Sequence, residues 1–275
     1  MKNVTGYFEG RDIRKLFYQY WLPDGDIKAY IIIIHGWGTH SDRMKYPAEY
    51  LTDKGYAIYT FDLRGHWRSS GDIPGHIDNM DHLQKDLVLF MDVVIKDAGN
   101  KKIFLAGHAF GGLLSIIYAI HHPNFPGILI SSPQLGLTMK VARGKKFDKK
   151  FSGSFSKLSP TKSVEISIDQ NLLTSDIKIL REHIADKNKL EIMTVKSGYE
   201  INEAMKWTMK NALKLACPVF FMQAGNDKIT DKKKLPIFLI RLKIRIKNIK
   251  NMMDSSMKYG TNVEGNRFMK ICMCG

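Results

Sequence analysis

Residues 2–8 and 13–21 alternate apolar and polar positions around Gly10-Arg11-Asp12, a pattern that predicts an antiparallel hairpin. Ala29-Tyr30-Ile31-Ile32-Ile33-Ile34 is a short run rich in β-branched residues with no polar break, as expected of a strand buried on both faces. Residues 56–61, 102–106, 127–131 and 218–222 have the same character. Between these runs lie helical spacings near 42–54, 80–97 and 111–121. Strands alternating with helices of this length predict an α/β architecture, a mostly parallel central sheet with helices on both faces. Residues 134–213 break the rhythm. A Ser/Lys-rich stretch over 145–163 precedes helical segments near 175–190 and 198–214, with no clear buried strand. This predicts an insertion between two sheet strands, forming a helical cap. Further on, residues 239–247 (LIRLKIRIK) nearly alternate apolar and cationic residues, as in an amphipathic strand or a basic surface segment. Residues 248–275 show neither helical period nor caps. The chain thus divides into a first core part (1–133), a cap (134–213), a core continuation (214–235) and an aberrant basic tail (236–275).

Composition changes this picture at one point. With 275 residues, 44% apolar and 25% charged, the chain is ordinary globular material with ample length for a core. Its net charge of +15 points by itself to a polyanionic partner. Residues 1–231 carry 31 Lys/Arg against 25 Asp/Glu, however, while residues 232–275 carry 11 against 2. Most of the excess therefore belongs to the tail, and no specific nucleic-acid partner is expected of the body. The three cysteines are too few for a disulfide framework, which fits a reducing, cytoplasmic compartment. No apolar leader is visible at the N-terminus, and no stretch approaches the roughly 18 apolar residues of a spanning helix.

Gly107-His108-Ala109-Phe110-Gly111-Gly112 follows a buried strand and opens a helix, the setting of the nucleophile elbow G-x-S-x-G. The flanking glycines let strand and helix pack tightly around a strained turn. The apex here is Ala109, which has no oxygen with which to attack. His35-Gly36-Trp37-Gly38 follows the strand ending at Ile34. In the elbow architecture this loop supplies one oxyanion-hole N–H and the residue after the apex supplies the other, here Trp37 and Phe110. Gly225-Asn226-Asp227 follows the strand 218–222, where a carboxylate would orient a triad histidine, although a lone Asp after a strand also reads as a turn residue.

These residues, with HGWGTHSDR (35–43), FDLRGHWRSSG (61–71), GHIDNMDHLQKDL (75–87), SSPQLGL (131–137), NLLTSD (171–176) and GNDKITD (225–231), resemble the monoacylglycerol lipase/lysophospholipase branch of the α/β-hydrolase fold, the serine aminopeptidase S33-type hydrolases. The resemblance covers about 1–235. It implies an α/β-hydrolase fold and hydrolysis of small lipid esters through an acyl-enzyme, without cofactor or metal. It also implies a cap that forms an apolar acyl channel and offers peripheral contact with a membrane. Asp227 would be the triad acid, while His35, Gly36, Gly107, His108 and Gly111 would shape the motifs. Three departures matter. Ala109 stands where the family has serine. Trp67 stands where the family's loop has glycine, which puts a bulky ring near the site. The family's catalytic histidine follows the acid, yet residues 228–275 contain none. The remaining histidines are poor substitutes by position.

The tail carries a further signal. Codons for Asn251-Met252-Met253-Asp254, read two bases later, force Asp and Gly, and Met257-Lys258 then gives a codon permitting His followed by a forced Glu. With permitted codons the segment can read EYDGFFHEIWNE, which resembles the family's histidine motif. The register changes near Leu235-Pro236. Three readings compete: a serine ester hydrolase by ancestry without nucleophile and base, a non-catalytic binder of a lipid ester or fatty acid, and a basic protein acting through its tail on a membrane or nucleic acid. In the chain as written, the last strand and helix of the fold are expected to be disrupted.

Overall fold

The structure, a computed structural model, describes residues 1–69, 71–137, 153–166, 168–224, 226–231, 233–242 and 249–252, the last segment and Phe155 by backbone alone. The alternating N-terminal segments form the antiparallel pair β1 (Lys2–Glu9) and β2 (Lys15–Leu22). The apolar runs become β3 (Ala29–Ile34), β4 (Tyr56–Phe61), β5 (Ile103–His108), β6 (Ile128–Ser131) and, after the cap, Val219–Ala224. The helices between them are α1 (Lys45–Thr52), α2 (Met80–Ala98) and α3 (Phe110–His121). Helix α2 begins where the Asn79 side chain accepts the Asp81 N–H and stops at Gly99, whose positive φ of 56° ends the turn.

The two faces of β3 bind two cores, as the period of two requires. Ile31 and Ile33 pack with Trp21, Met44, Ala48 and Ile58 on the α1 side. Ile32 and Ile34 join the larger core under α2 and α3. Helix α3 is buried all round rather than on one stripe, so Leu113, Leu114, Ile116 and Ile117 each contribute roughly 1.5–3 kcal/mol of hydrophobic stabilisation.

The cap contains α4 (Gly153–Leu158), α5 (Ile177–Ala185) and α6 (Val195–Lys210). It also holds a short antiparallel ladder that the sequence pattern does not predict, β7 (Ser163–Glu165) with β8 (Ile192–Thr194). Three-residue strands are too short to show a period, and here Met193 and Thr194 are buried against the core. The core resumes with β9 (Val219–Ala224), α7 (Lys234–Arg241) and β10 (Ile249–Met252). The sheet order is β1-β2-β4-β3-β5-β6-β9-β10, with β2 antiparallel to its neighbours and the described pairs from β4 to β10 parallel.

The alternation over 239–247 predicts a strand or basic segment, but Leu239–Arg241 complete α7. Leu235, Phe238 and Leu242 recur at helical spacing and point inward, and Pro236 sits in the first turn, where its missing N–H costs nothing. The last helix and strand are short, eight and four residues. Most of the basic tail, including 243–248 and the histidine-like motif after Met252, lies outside the described residues, as do Gly225 and 138–152.

Candidate active site

The chain leaves β3 for β4 on one side, and β5 lies on the other. Loops after β3 and β5 therefore part to opposite faces, and such a switch point opens a crevice at the C-terminal strand ends. The His35–Gly38 loop and the elbow both occupy it.

Ala109 links β5 to α3 at φ 50° and ψ −113°. An L-residue held at positive φ stores on the order of 1–3 kcal/mol, so its surroundings must enforce the turn. The Ala109 N–H donates to Ser131 O at 3.0 Å, and Ala109 O accepts from Leu113 N–H at 3.1 Å and Gln134 N–H at 3.0 Å. Glycine is obligatory on either side: a methyl group at Gly107 would overlap Gly111 O, and one at Gly111 would overlap Ile34 O. The strained apex, with the β-carbon in place of a Ser Cβ, is thus intact while the hydroxyl is missing.

The β3 loop lies beside this apex. A methyl group on Gly36 would sit 3.8 Å from Ala109 Cβ, and the Trp37 and Phe110 rings meet edge-on at 5.6 Å. Phe110 opens α3, so its N–H has no partner within the helix. The buried Trp37 indole N–H also has no hydrogen-bond partner among the described residues. This arrangement brings the two sequence-predicted oxyanion residues next to the apex.

Two buried histidines set the loop. His35 Nε2 accepts the Leu63 N–H at 3.0 Å while its Nδ1 faces Gly36 O at 2.7 Å. His66 Nε2 accepts the Gly38 N–H at 3.2 Å and its Nδ1 faces Arg64 O at 3.1 Å. Both rings must be neutral to accept these bonds. Burial, reinforced for His35 by the neighbouring His66, holds His35 well below the ordinary 6.5, and burial pushes His66 down to about 4. Stability follows with a definite sign. Below pH 6.5 the unfolded chain binds protons that the folded chain refuses, so stability falls as pH drops from 6.5 towards 4 and levels off below. For His66 alone the loss is about 3 kcal/mol. The denaturant midpoint is expected to fall steadily between pH 7 and pH 4, and a midpoint independent of pH over that interval would contradict neutral His35 and His66.

Asp227 follows β9 at the same sheet edge. Its Oδ1 accepts the N–H groups of Ile229 and Thr230, each at 2.9 Å, and its Oδ2 accepts Gln223 Nε2–H at 2.9 Å and Thr230 Oγ1–H at 2.5 Å. The carboxylate is therefore held by its own loop, and no histidine hydrogen-bonds to it among the described residues. His108 is within its electrostatic reach, although burial still lowers the His108 pKa, and its Nδ1 lies 3.3 Å from Ser131 Oγ. The acid site and the apex are joined through residues that the motifs leave unread. Ser132, at φ 41°, accepts the Ala224 N–H at 3.2 Å and Gln223 Nε2–H at 3.4 Å. Nothing in the spacing of SSPQLGL marks Ser132 for this task.

Trp67 keeps a backbone suited to glycine, φ 36°. Its ring partners are His40, Phe17 and Arg68. Among the described residues no group of His, Cys, Asp or Glu is arranged to hold a metal ion, and no helix is long and apolar enough to cross a membrane.

Comparison with known proteins agrees with this geometry. The family described as serine aminopeptidase, S33 (Hydrolase_4) matches residues 25–254, a span that continues past Leu235. Human monoglyceride lipase is 26% identical over 87% of this chain and 78% of its own length. An abhydrolase domain-containing protein of Dictyostelium discoideum is 29% identical over 81% of this chain, which spans only 23% of that longer relative. The crystal structure of a soluble variant of the Saccharomyces cerevisiae monoglyceride lipase, in complex with a substrate analog, superposes with a TM-score of 0.80 at 22% identity, covering 88% of this chain and 82% of that one. The chain belongs to the serine aminopeptidase S33 family, and within it to the monoglyceride lipase-like α/β-hydrolases.

Proposed function

We propose that this chain is a lipid-ester hydrolase scaffold of the monoglyceride lipase type that binds a small lipid ester or fatty acid and does not turn it over. The observation that carries the reading is the strained Ala109 apex beside the Trp37–Phe110 loop, a site shaped for acyl transfer without the reacting oxygen. In the whole machinery a serine at 109 would attack the ester carbonyl as a histidine removed its proton. The N–H groups of Trp37 and Phe110 would hold the oxyanion, and the histidine would return the proton to the departing alcohol. Water would then cleave the acyl-enzyme by the same steps. Asp227 would orient the imidazole. Here neither nucleophile nor base is present, and the binding surface remains.

The missing histidine, the basic tail and the forced codons after Leu235 support a change of reading frame near 235–236 in the history of the gene. Resequencing across codons 233–238 tests this, and an offset frame interrupted by stop codons would rule it out. Exposed Leu158, Ile177 and Ile184 on the cap support peripheral contact with a membrane from the cytoplasmic side.

The functional test uses a long-chain monoglyceride. The chain is expected to retain it through gel filtration, seen by native mass spectrometry, while glycerol release stays at the buffer rate. Release well above buffer, or failure to retain any acyl ligand, would contradict the reading.

A further inference from the structure

The Trp67 ring packs against the His40 imidazole at a 44° tilt with 4.4 Å between centres, and the Arg68 guanidinium covers the Trp67 ring at 3.6 Å. His40 Nε2 is 2.8 Å from Asp186 Oδ2, and both side chains are buried, 4% and 10% exposed. His40 follows the oxyanion loop in the core, whereas Asp186 ends α5 in the cap. Three more bonds join the same two stretches. Arg43 Nη2 lies 3.3 Å from His183 Nδ1, Tyr46 Oη donates to Glu182 at 2.7 Å, and Leu190 N–H donates to Gly38 O at 2.7 Å. Gly38 adjoins Trp37, and a side chain there would overlap Leu190 O. The cap and the oxyanion loop are thus in backbone contact.

We propose that Trp67, His40 and Asp186 form a latch that seats the cap on the oxyanion loop, with Trp67 as the platform that keeps the His40 ring facing Asp186. The three are positioning residues. They act on the site through the Leu190–Gly38 bond, which fixes the turn that presents the Trp37 N–H. The large residue at 67 then adds a fastening for the cap beside the Arg43–His183, Tyr46–Glu182 and Leu190–Gly38 bonds, in a loop whose backbone would otherwise favour glycine. The latch does not rest on ester hydrolysis and operates equally in a chain that only binds.

Hydrogen exchange of the full chain tests it. Residues 186–194 contain the Leu190 and Thr194 N–H groups, which donate to Gly38 O and Gly75 O across the cap–core boundary. Trp67→Gly and Asp186→Ala should each speed exchange there by about ten-fold or more, with α2 unchanged, because local opening is what these amides report. Trp67→Phe, which restores an aromatic platform, should keep the original protection. The double variant Trp67→Gly/Asp186→Ala should exchange no faster than the faster single variant, since both break one latch. Unchanged protection at 186–194 in Asp186→Ala overturns the proposal, as does a Trp67→Phe chain as unprotected as Trp67→Gly. Should Trp67→Gly loosen α2 as well, the Asp186→Ala result decides between these outcomes.

Discussion

Ala109→Ser alone is expected to leave ester hydrolysis at the buffer rate. The elbow is already in the required strained geometry, so the new hydroxyl would be presented at the apex beside Trp37 and Phe110. It would still have no base. Both oxygens of Asp227 are engaged by Ile229, Thr230 and Gln223, and no histidine hydrogen-bonds to it among the described residues. Triad members act as a unit: in a protease where this has been dissected, removing the serine or the histidine alone costs about as much as removing the whole triad, on the order of 10⁶ in kcat. Supplying one of two missing members therefore recovers almost nothing. His108 is the ring nearest in electrostatic terms, yet its Nδ1 is turned to Ser131. Substantial turnover by Ala109→Ser, measured as fatty acid released from a monoglyceride, would show that His108 or another histidine serves as base.

Asp86→Ala is expected to be strongly damaging to the fold. Asp86 lies on α2 and receives Arg64 Nε–H at 2.6 Å and Nη2–H at 2.7 Å, with the Arg11 N–H at 2.8 Å. The paired side chains are 7% and 0% exposed. Removing the carboxylate would strand a buried guanidinium and a backbone donor, a loss of about 3–5 kcal/mol. That is a large part of the roughly 5–15 kcal/mol by which a domain is usually stable. It corresponds to a drop in Tm of roughly 6–20 °C for a chain of this size. Arg14 and Asp72 make a pair of the same fork geometry at 2.8 and 2.6 Å, but on the surface. Asp72→Ala should barely move the melt, because solvent already screens that pair. Equal melting shifts for the two variants would show that burial does not set the difference.

The parts of the fold that could be read in advance are those whose residues have no local alternative. Ile31–Ile34 can only be a strand packed on both faces, and Gly107 and Gly111 are forced by backbone approach, so the elbow was legible from spacing alone. The β7–β8 ladder was not, because its three-residue strands are set by tertiary bonds such as Thr194 N–H to Gly75 O. Alternation in LIRLKIRIK misled because Leu235 and Phe238, just before it, start a helical period that the first three residues of that run complete. At the site, motif order located Ala109, Trp37, Phe110 and Asp227. It gave no sign of the Ser132–Gln223 link or the His40–Asp186 pair, whose members meet only through the packing of distant segments. The direction of the Trp67 ring was likewise a matter of tertiary contact, since the residue type says only that a large ring must go somewhere.

The central claim is that the scaffold is an ester hydrolase site lacking only a nucleophile and a base. The measurement that bears on it most directly is monoglyceride hydrolysis by the chain carrying Ala109→Ser together with the offset reading frame after Leu235. Turnover is expected to rise by on the order of 10⁶ over either change alone, reflecting the concerted action of the triad. A doubly altered chain that folds and binds the monoglyceride but leaves it intact would contradict the claim.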